Sequence, residues 1–480
     1  MRKSLRPLRR SMVSFMLALC ALLAACGGGG SGSASSPAST PSATSTSTAL
    51  ASYGTQPATC SVADQRSWLR AYMADQYFWS ANLGAGNESA SSLDAFFHSL
   101  LYTPSDRYSY SQSTTEFTQF FAEGTRTGYG YSLAYADAAQ TVLQVRLTEP
   151  LSPVGLAGLQ RGDTIVAIDG FSPAQITSGA LAAVDTAGVL RSFSVKDGSG
   201  TPRSFTALSA SYPLTPVLAT KILTAPNGAR VGYLAYQEFI TSSAAALGNA
   251  FNTFRAAGVT ELIVDLRYNG GGSVTTARNL ASMMGGASLN GQIFAGLRFN
   301  ARNSASNFNY AFTSSADTLP ALPLEGLSRV FVIASASTAS ASELVINSLK
   351  PFRNVITIGS ATYGKPYGFL PRDACGITYS AVNFDTVNAQ GVGGYTSGLA
   401  ATCAQSDDLS KALGDPAERR TAAALSYIQT GACPAVAVNV DALQASARAA
   451  PAFGDTASSP NPSPSEAAFG ELTPPRMVAD

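Results

Sequence analysis

The chain has 480 residues, of which 45% are hydrophobic and 13% are charged, so it can bury a large core and form about two to four domains. Its formal net charge is +1, but the first ten positions contain five basic residues and no acidic one. Without these five, 26 basic residues oppose 30 acidic ones, a net charge near −4. No basic patch interleaved with aromatic residues remains, which argues against a nucleic-acid-binding protein.

Residues 1–25 have the features of a bacterial export signal. The basic start is followed by an apolar run over residues 12–23, which is too short to span a bilayer as a mature helix. The Leu-Ala-Ala-Cys sequence that ends at Cys26 resembles a bacterial lipobox, which implies that Cys26 is lipidated. The alternative is an ordinary signal peptide with a cysteine there by chance. Gly27 is not the aspartate that can hold lipoproteins at the inner membrane, so the resemblance implies a periplasm-facing protein anchored by lipid at the outer membrane.

Two segments of different composition follow. Residues 26–56 are mainly Gly, Ser, Thr, Ala and Pro, which predicts a flexible tether. Over residues 57–122, large apolar residues recur at steps of three and four, which predicts a small N-terminal helical domain. His98, the single histidine, falls in the second of these helices, where a structural role is favoured over a catalytic one. One histidine so placed argues against a Ser-His-Asp triad or a histidine-based zinc site.

Residues 123–213 are predicted to form a β-rich domain. They include Gly128, Tyr129, Gly130 and Tyr131 in succession, and the run LSPVGLAGLQRGDTIVAIDG over residues 151–170 closely resembles the middle of a PDZ domain. The resemblance implies that the Gly-Tyr-Gly-Tyr loop presents backbone amides to a peptide's C-terminal carboxylate, while the adjoining strand accepts the peptide as an added strand. The alternative is a PDZ fold that packs against the rest of the chain and binds nothing.

From residue 214 to 433 the pattern alternates strands and helices, as in a layered α/β domain. Asp265 and Arg267, at the end of one predicted strand, are interpreted as a structural pair. Asn269 and three glycines follow. This loop is either a plain turn or a segment whose glycines let a backbone amide approach a reacting carbonyl closely, and we favour the second interpretation. Strands are predicted at residues 231–236, 262–266, 330–334, 355–358 and 377–385, and helices at residues 247–254, 277–284 and 341–349, with a last helix ending near residue 431.

The stretch from Ser340 to Lys365 carries the predicted chemistry. A buried strand precedes Ser340, a helix begins at Ala341, and Lys365 lies in a loop after the next strand, near the strand ends where open α/β sheets place their sites. At a helix N-terminus, unpaired amides and the positive end of the dipole favour an alkoxide, or an oxyanion held by the amide of Ala341. The alternative is that Ser340 only caps the helix and that Lys365 is a solvated loop charge.

The Ser-Ala-Ser-Glu sequence that begins at Ser340, followed by Gly-Lys ending at Lys365, resembles the carboxy-terminal processing (tail-specific) proteases. With the glycine loop and the PDZ-like segment in the family's order, the resemblance covers roughly residues 57–433. It implies a multidomain α/β protein with a layered, ClpP/crotonase-like protease core, and protein or peptide substrates with accessible C-termini, without a cofactor or metal. The site residues that it implies are Ser340 as nucleophile, Lys365 as general base, and the amides of Gly271, Gly272 and Ala341 as the oxyanion hole.

A Ser-Lys pair needs a neutral amine, so Lys365 must be desolvated or lie near positive charge to bring its pKa from about 10.4 toward neutrality. Glu343 is predicted to anchor the helix mouth rather than to transfer a proton. Phe369 departs from the family, because many relatives carry Gln four residues after the lysine; another polar group must orient Lys365, or the base is held less well. The rival interpretation is a catalytically silent envelope lipoprotein that binds protein C-termini, and retention of both Ser340 and Lys365 argues against it.

Six cysteines are present, of which Cys20 lies in the signal and Cys26 is the lipidation candidate. The other four allow three pairings. We expect Cys375 to pair with Cys403, because they flank one hairpin-like segment, and Cys60 with Cys433, tying the first helix to the last. None of the four lies in a close pair, which argues against a zinc site.

Two segments give weaker predictions. Residues 287–326 have scattered aromatic residues without a clear period, which predicts a hairpin or a flexible rim. Residues 434–480 are rich in Ala, Pro and Ser and are expected to be poorly ordered.

Overall fold

The computed structural model describes residues 54–137, 139–435, 469–470 and 476–478. The predicted export signal, the lipidation candidate Cys26 and all but the last residues of the predicted tether lie outside the described residues, as does most of the segment 434–480. In the part of the chain that is described, no helix combines the length and apolarity that crossing a bilayer needs.

The first described region is helical, as predicted, and its core is shared with a distant hairpin. Ser61 caps the first helix, since its hydroxyl accepts a hydrogen bond from the amide of Asp64. Trp68 stacks on Tyr72 and also contacts the ring of Tyr379, which lies in a later strand. The helical region therefore packs directly onto the part of the chain that follows Lys365. Its elements are α1 (Val62–Gln76), α2 (Leu93–His98), β1 (Tyr110–Ser113) and α3 (Thr114–Thr118).

The second region consists mostly of strands. β3 to β7 pair antiparallel in chain order around a core that contains Leu133, Val145, Ile165 and Phe193, while β2 pairs with β8. Its identification as a PDZ-like domain stays a prediction. The elements are β2 (Thr125–Gly128), β3 (Tyr131–Tyr135), β4 (Leu143–Thr148), α4 (Pro153–Leu156), β5 (Thr164–Ile168), α5 (Pro173–Thr177), β6 (Leu190–Lys196), β7 (Pro202–Leu208) and β8 (Ala210–Pro213).

The third region is the layered α/β unit predicted from residue 214, built on a six-stranded sheet. In the order β21-β16-β15-β11-β10-β9, neighbouring strands run parallel except for β9. Leu262 and Val264 pack with α6, α7 and α8, while Ile263 between them packs with α9, so alternate residues of one strand bury opposite faces. The elements are β9 (Val217–Thr224), β10 (Arg230–Tyr236), α6 (Ala244–Ala257), β11 (Glu261–Asp265), α7 (Val274–Gly285), β15 (Arg329–Ala334), α8 (Ala341–Leu349), β16 (Asn354–Gly359), β21 (Cys403–Ala404) and α9 (Arg419–Thr430).

A second six-stranded sheet lies in the same region, in the order β12-β23-β17-β20-β13-β14. Within it, β13 and β14 form an antiparallel hairpin, which is one of the two alternatives that the sequence left open for residues 287–326. β18 and β19 form a hairpin that pairs with β1 of the helical region. The elements are β12 (Gly271–Ser273), β13 (Ile293–Phe299), β14 (Phe308–Ala311), β17 (Tyr367–Phe369), β18 (Arg372–Ala374), β19 (Ile377–Ser380), β20 (Val382–Val387), β22 (Phe469–Gly470) and β23 (Arg476–Val478).

Two short strands are described after residue 435. β22 pairs with β3, and β23 lies between β12 and β17. Poor order was expected because residues 434–480 are rich in Ala, Pro and Ser, and for most of them that expectation lies outside the described residues. The backbone bonds of a short strand do not depend on that composition when other strands supply the pairing edges.

Both predicted disulfides are wrong, because the structure pairs Cys60 with Cys375 and Cys403 with Cys433. The Cα atoms lie 5.6 Å and 5.4 Å apart, within the range that a disulfide spans. Cys375 lies at the turn of the β18–β19 hairpin against which α1 packs, so Cys60, two residues before α1, reaches it. Cys403 lies in the central sheet, on the face that α9 covers, and Cys433 follows α9. The two cysteines predicted to share one hairpin are in different sheets.

Candidate active site

Ser340 occupies a sharp turn between β15 and α8. Its φ of 61° and ψ of −114° fall in a region that residues with a side chain rarely adopt, at a cost on the order of 1–3 kcal/mol. The side chain is fully buried, and within the described residues its Oγ has no hydrogen-bond partner. Ala341 begins the helix, so its amide has no acceptor within α8. A strained strand-to-helix turn that presents an unbonded hydroxyl is the geometry expected of a nucleophile.

Glu343 joins the Ser340 turn to the Lys365 loop. One carboxylate oxygen accepts hydrogen bonds from the amides of Ser340 and Lys365, both at 2.8 Å. The other accepts from the amide of Gly364 at 2.7 Å and from the hydroxyl of Thr362. A single buried side chain therefore fixes the backbone of both proposed catalytic residues.

None of these four donors to Glu343 is a cation. Burial raises the pKa of the Glu343 carboxyl. The hydrogen bonds from Thr362 and from the three amides lower the pKa but do not offset the burial. The structure thus agrees with an anchoring role at the helix mouth.

Lys365 is fully buried, and its Nζ lies 3.7 Å from the centre of the Phe369 ring. Phe369, which replaces the glutamine found in many carboxy-terminal processing proteases, therefore contacts the amine with its ring face. The loop is also held from the helical region: the Tyr108 hydroxyl donates to the Gly364 carbonyl at 2.8 Å, and Arg107 donates to the carbonyl of Tyr363 at 3.3 Å.

The glycine loop, residues 269–272, is hydrogen-bonded to the turn that contains Ser340. The carbonyl of Asn269 accepts hydrogen bonds from the Ala339 amide at 3.1 Å and the Ser342 hydroxyl at 3.0 Å. The amide of Gly271 donates to the Asn269 side chain at 2.8 Å, so this amide is already engaged. Gly272 has a φ of 138°, and a Cβ added there would lie 2.1 Å from the carbonyl oxygen of Phe239. Only glycine fits at this position.

Asp265 and Arg267 form the structural pair that the sequence predicts, with an Nη2 to Oδ2 distance of 2.8 Å. Arg267 also binds Glu418 through two hydrogen bonds of 2.8 and 2.9 Å and Asp407 through one of 2.8 Å. Burial alone would raise the pKa of Glu418, but the charge and hydrogen bonds of Arg267 lower it to about 2. Arg161 of the β-rich region reaches the same Asp407 at 2.9 Å. This network fastens the strand end before the glycine loop.

The other predicted residues lie elsewhere. His98 contacts Asp94 of its own helix, which raises the pKa of its imidazole, and it joins none of the contacts around Ser340. Gly128 ends β2 and Tyr131 begins β3, and the side chains of Tyr129 and Tyr131 are buried in the core of the β-rich region. Any peptide contact of the Gly-Tyr-Gly-Tyr loop must therefore come from its backbone. In the described residues, no cluster of His, Cys, Asp and Glu side chains could hold a metal ion.

Three positioning residues were not predicted. Asn269 belongs to the glycine motif, but its three contacts become visible only when the loop is folded against the Ser340 turn. Thr362 and Tyr108 come from segments with no motif. Tyr108 and its neighbour Arg107 contact the Lys365 loop in the folded chain, but both lie far from Lys365 in the sequence. No local sequence pattern therefore marks them.

Comparisons with known proteins agree with this fold. Residues 230–372 match the family model described as peptidase family S41, and residues 64–110 match the model of the peptidase S41 N-terminal domain. The carboxyl-terminal-processing protease of Synechocystis sp. (strain ATCC 27184 / PCC 6803 / Kazusa) is 27% identical over 253 residues, which cover 51% of this chain and 55% of that protein. The carboxyl-terminal-processing peptidase 2, chloroplastic, of Arabidopsis thaliana is 25% identical over 281 residues, 55% of this chain and 51% of that protein.

A solved structure extends the similarity. The crystal structure of a Bacteroides fragilis NCTC 9343 protein assigned to the S41 proteases matches with a TM-score of 0.61 and 25% identity, covering 76% of this chain and 97% of that one. The fold is that of a mixed α/β multidomain protein. Residues 64–110 and 230–372 are similar to the S41 peptidase family, and carboxyl-terminal-processing proteases are among the proteins that the chain resembles. It spans about half the length of the curated relatives that it matches.

Proposed function

We propose that the chain is a serine endopeptidase of the carboxy-terminal processing type, in which Ser340 and Lys365 form a catalytic dyad. The observation that carries the proposal is the carboxylate of Glu343, which binds the amides of both residues and so fixes nucleophile and base relative to each other. The strained conformation of Ser340 and the burial of Lys365 support it.

In the proposed reaction, the amine of Lys365 takes the proton of the Ser340 hydroxyl as Oγ attacks the carbonyl carbon of a peptide bond. The oxyanion that forms is held by the amides of Ala341 and Gly272. Lys365 then delivers the proton to the leaving amine, and water hydrolyses the acyl-enzyme with the lysine again acting as base. The burial of Lys365 favours the neutral amine that this role requires, whereas the Phe369 ring face attracts a cation.

The test is cleavage of an unstructured protein by the purified mature chain and by a set of variants. Ser340→Ala, Lys365→Ala and the double variant should each lose roughly 10⁴-fold or more of kcat/KM, because residues that act as one unit are not additive. Lys365→Arg should fail as well, since a guanidinium does not release its proton near neutral pH.

Two matched controls, Ser348 and Lys350, lie at the C-terminal end of α8, away from Ser340. Ser348→Ala removes a buried hydroxyl and Lys350→Ala an exposed amine, and both should keep most of the activity. A folded Lys365→Ala variant with most of its activity would eliminate the dyad, and a folded His98→Ala variant without activity would point to a different base.

The β-rich region is proposed to recruit substrates by their free C-termini, as a PDZ domain does. Arg146 of β4 donates a hydrogen bond of 3.2 Å to Ser337, three residues before the proposed nucleophile, so this region directly contacts the Ser340 turn. Amidating a substrate's terminal carboxylate removes the charge that the Gly-Tyr-Gly-Tyr loop would bind. Equal binding and cleavage of free and amidated peptides would refute recruitment of this kind.

Lipid anchoring at Cys26, facing the periplasm, is proposed from the export-signal pattern. Mass spectrometry of the mature N-terminus should find a diacylglyceryl-modified Cys26 as the first residue. An unmodified Cys26, or a mature chain that starts elsewhere, would contradict the anchor.

A further inference from the structure

The last strand that the structure describes lies inside the proposed active-site sheet. β23 pairs in parallel with β12, where Gly271, Gly272 and Ser273 face residues 476, 477 and 478. On its other side β23 pairs in parallel with β17, where Phe369 faces residue 478. β12 carries the proposed oxyanion glycines, and β17 begins two residues after Lys365. The tail strand therefore fills the gap between the two strands that flank the proposed chemistry.

The strand before it, β22, pairs with the β-rich region. Phe469 and Gly470 pair antiparallel with Leu133 and Ser132 at the outer edge of β3. β3 directly follows the Gly-Tyr-Gly-Tyr loop, and it is the strand to which a recruited peptide would add. The six residue steps from Gly470 to residue 476 span at most about 20 Å when extended. One short segment of the chain thus contacts both edges at which an extended peptide is expected to bind.

We propose that the gap between β12 and β17, together with the edge of β3, forms one continuous binding site for an extended peptide, and that two tail segments of this same chain, residues 469–470 and 476–478, are its resident ligand. The identification of the gap as a substrate cleft rests on the proposed function. The tail is a competitor of substrate, because a strand position holds one peptide at a time.

Backbone pairing explains why such a tail can compete with unrelated peptides. Strand addition uses main-chain amides and carbonyls, so the ladder between β12 and β17 places few demands on sequence. A covalently connected segment also competes intramolecularly, at an effective concentration that the length of its connection sets. A free peptide must therefore exceed that concentration, or bind more tightly, to displace the tail.

The test measures binding in a Ser340→Ala background, where nothing is cut. A fluorescent peptide with the sequence of residues 466–480 is titrated into the full chain and into a chain that ends at residue 468, and anisotropy reports binding. The truncated chain should bind the peptide at least tenfold more tightly than the full chain. Equal affinities for the two chains would overturn the proposal.

Point variants keep the test decisive if the truncated chain is unstable. Met477→Pro, in the full chain, removes a backbone N–H from a strand that has neighbours on both sides, so it should also raise the affinity for the peptide. Ala445→Pro, outside both strands, is the matched control and should leave the affinity unchanged. Failure of Met477→Pro to raise the affinity in a folded chain would contradict occupancy of the gap. An affinity of the full chain that falls as its own concentration rises would instead assign the tail to a neighbouring copy and overturn the intramolecular assignment.

The outcome is separable from that of the proposed function, because binding needs no hydrolysis. A wild-type chain that cleaves nothing, combined with tighter binding after truncation, would refute the peptidase and support the resident tail. Ser340-dependent cleavage with no effect of truncation on binding would support the peptidase and refute the resident tail.

Discussion

Two glutamates of this chain are buried without exposed surface at the beginnings of helices, yet their surroundings are opposite. Glu343, in the first turn of α8, accepts four hydrogen bonds from uncharged donors, and burial raises the pKa of its carboxyl. Glu418, which caps α9, binds a guanidinium, and Arg267 lowers its pKa to about 2. The same side chain in the same type of position is thus a geometric clamp at one helix and half of an ion pair at the other.

The two glutamates differ in whether their carboxylate is bound by uncharged donors or by a cation. A cation beside Glu343 would stabilise its carboxylate, but it would compete with the amides of Ser340 and Lys365 for the carboxylate oxygens that hold them in place. Glu418 is remote from the reacting groups, so a full ion pair can fasten α9 to the strand end at Arg267. The active-site carboxylate organises backbone amides at an energetic cost, and the other carboxylate contributes stability.

The largest expected effect comes from removing the clamp. Glu343→Ala should lower kcat by roughly 100-fold with a much smaller change in KM, because a displacement of about 1 Å in the reacting groups costs that much in rate. Steady-state kinetics with one peptide substrate measures both constants. Glu343→Gln keeps one acceptor oxygen and should retain more activity than Glu343→Ala. A parallel rise in KM with kcat unchanged would assign Glu343 to substrate binding instead.

The ion-pair side of the comparison predicts loss of stability. Arg267→Met leaves Asp265 and Glu418 buried without their partner and should lower the free energy of unfolding by about 3–5 kcal/mol. Arg329→Met is the matched control, because its pair with Glu261 is partly exposed and contributes about 0–1 kcal/mol. Urea unfolding measures both. Similar losses in the free energy of unfolding for the two variants would show that the buried network contributes no more stability than a partly exposed ion pair.

Acid should affect the two glutamates in opposite directions. The folded-state pKa of Glu418 is lower than its unfolded value, so its contribution to stability is complete above about pH 4.5 and is lost as the pH falls toward 2. The folded-state pKa of Glu343 is raised, so its protonation does not contribute to that loss. Glu418→Gln should therefore flatten the fall in unfolding free energy between about pH 4.5 and 2, while Glu343→Gln should not. Equal slopes for wild type and Glu418→Gln would contradict the lowered pKa.

The smallest expected effect concerns the strain that the Glu343 clamp maintains. Glycine adopts a positive φ without a Cβ clash, so Ser340→Gly should raise the free energy of unfolding by about 1–2 kcal/mol while abolishing activity. Ser340→Ala keeps the Cβ and is the control that should not gain this stability. Thermal unfolding of the two variants separates relief of strain from loss of the hydroxyl. A glycine variant no more stable than the alanine variant would mean that the turn is not strained.

Much of the framework could be predicted from the sequence, because it depends on local patterns. The helix Ala341–Leu349 has the predicted bounds, since apolar residues at helical spacing follow a residue that cannot continue the preceding strand. The parallel strands around it were visible as short β-branched runs. Ser340 and Lys365 could be singled out because a helix N-terminus and a loop at the strand ends are positions with known chemical properties.

The remainder depends on contacts between distant segments. The donors to Glu343 come from residues 340 and 362–365, and no pattern in the sequence says that one carboxylate collects them. The disulfide prediction failed for the same reason, because closeness in the chain suggested Cys375 with Cys403, although Cys375 lies at a hairpin turn and Cys403 in the edge strand of a different sheet. The two tail strands could not be predicted, since their partners supply the edges that their own composition does not specify.

The complete burial of Ser340 also determines how its reactivity should be read. An alkylating or phosphonylating reagent in solution cannot reach a hydroxyl with no exposed surface, so the labelling rate reports how often the cleft opens rather than how nucleophilic the oxygen is. At saturating reagent, that rate becomes independent of reagent concentration and equals the opening rate. The rate of covalent labelling at Ser340 therefore measures the rate at which the proposed cleft opens.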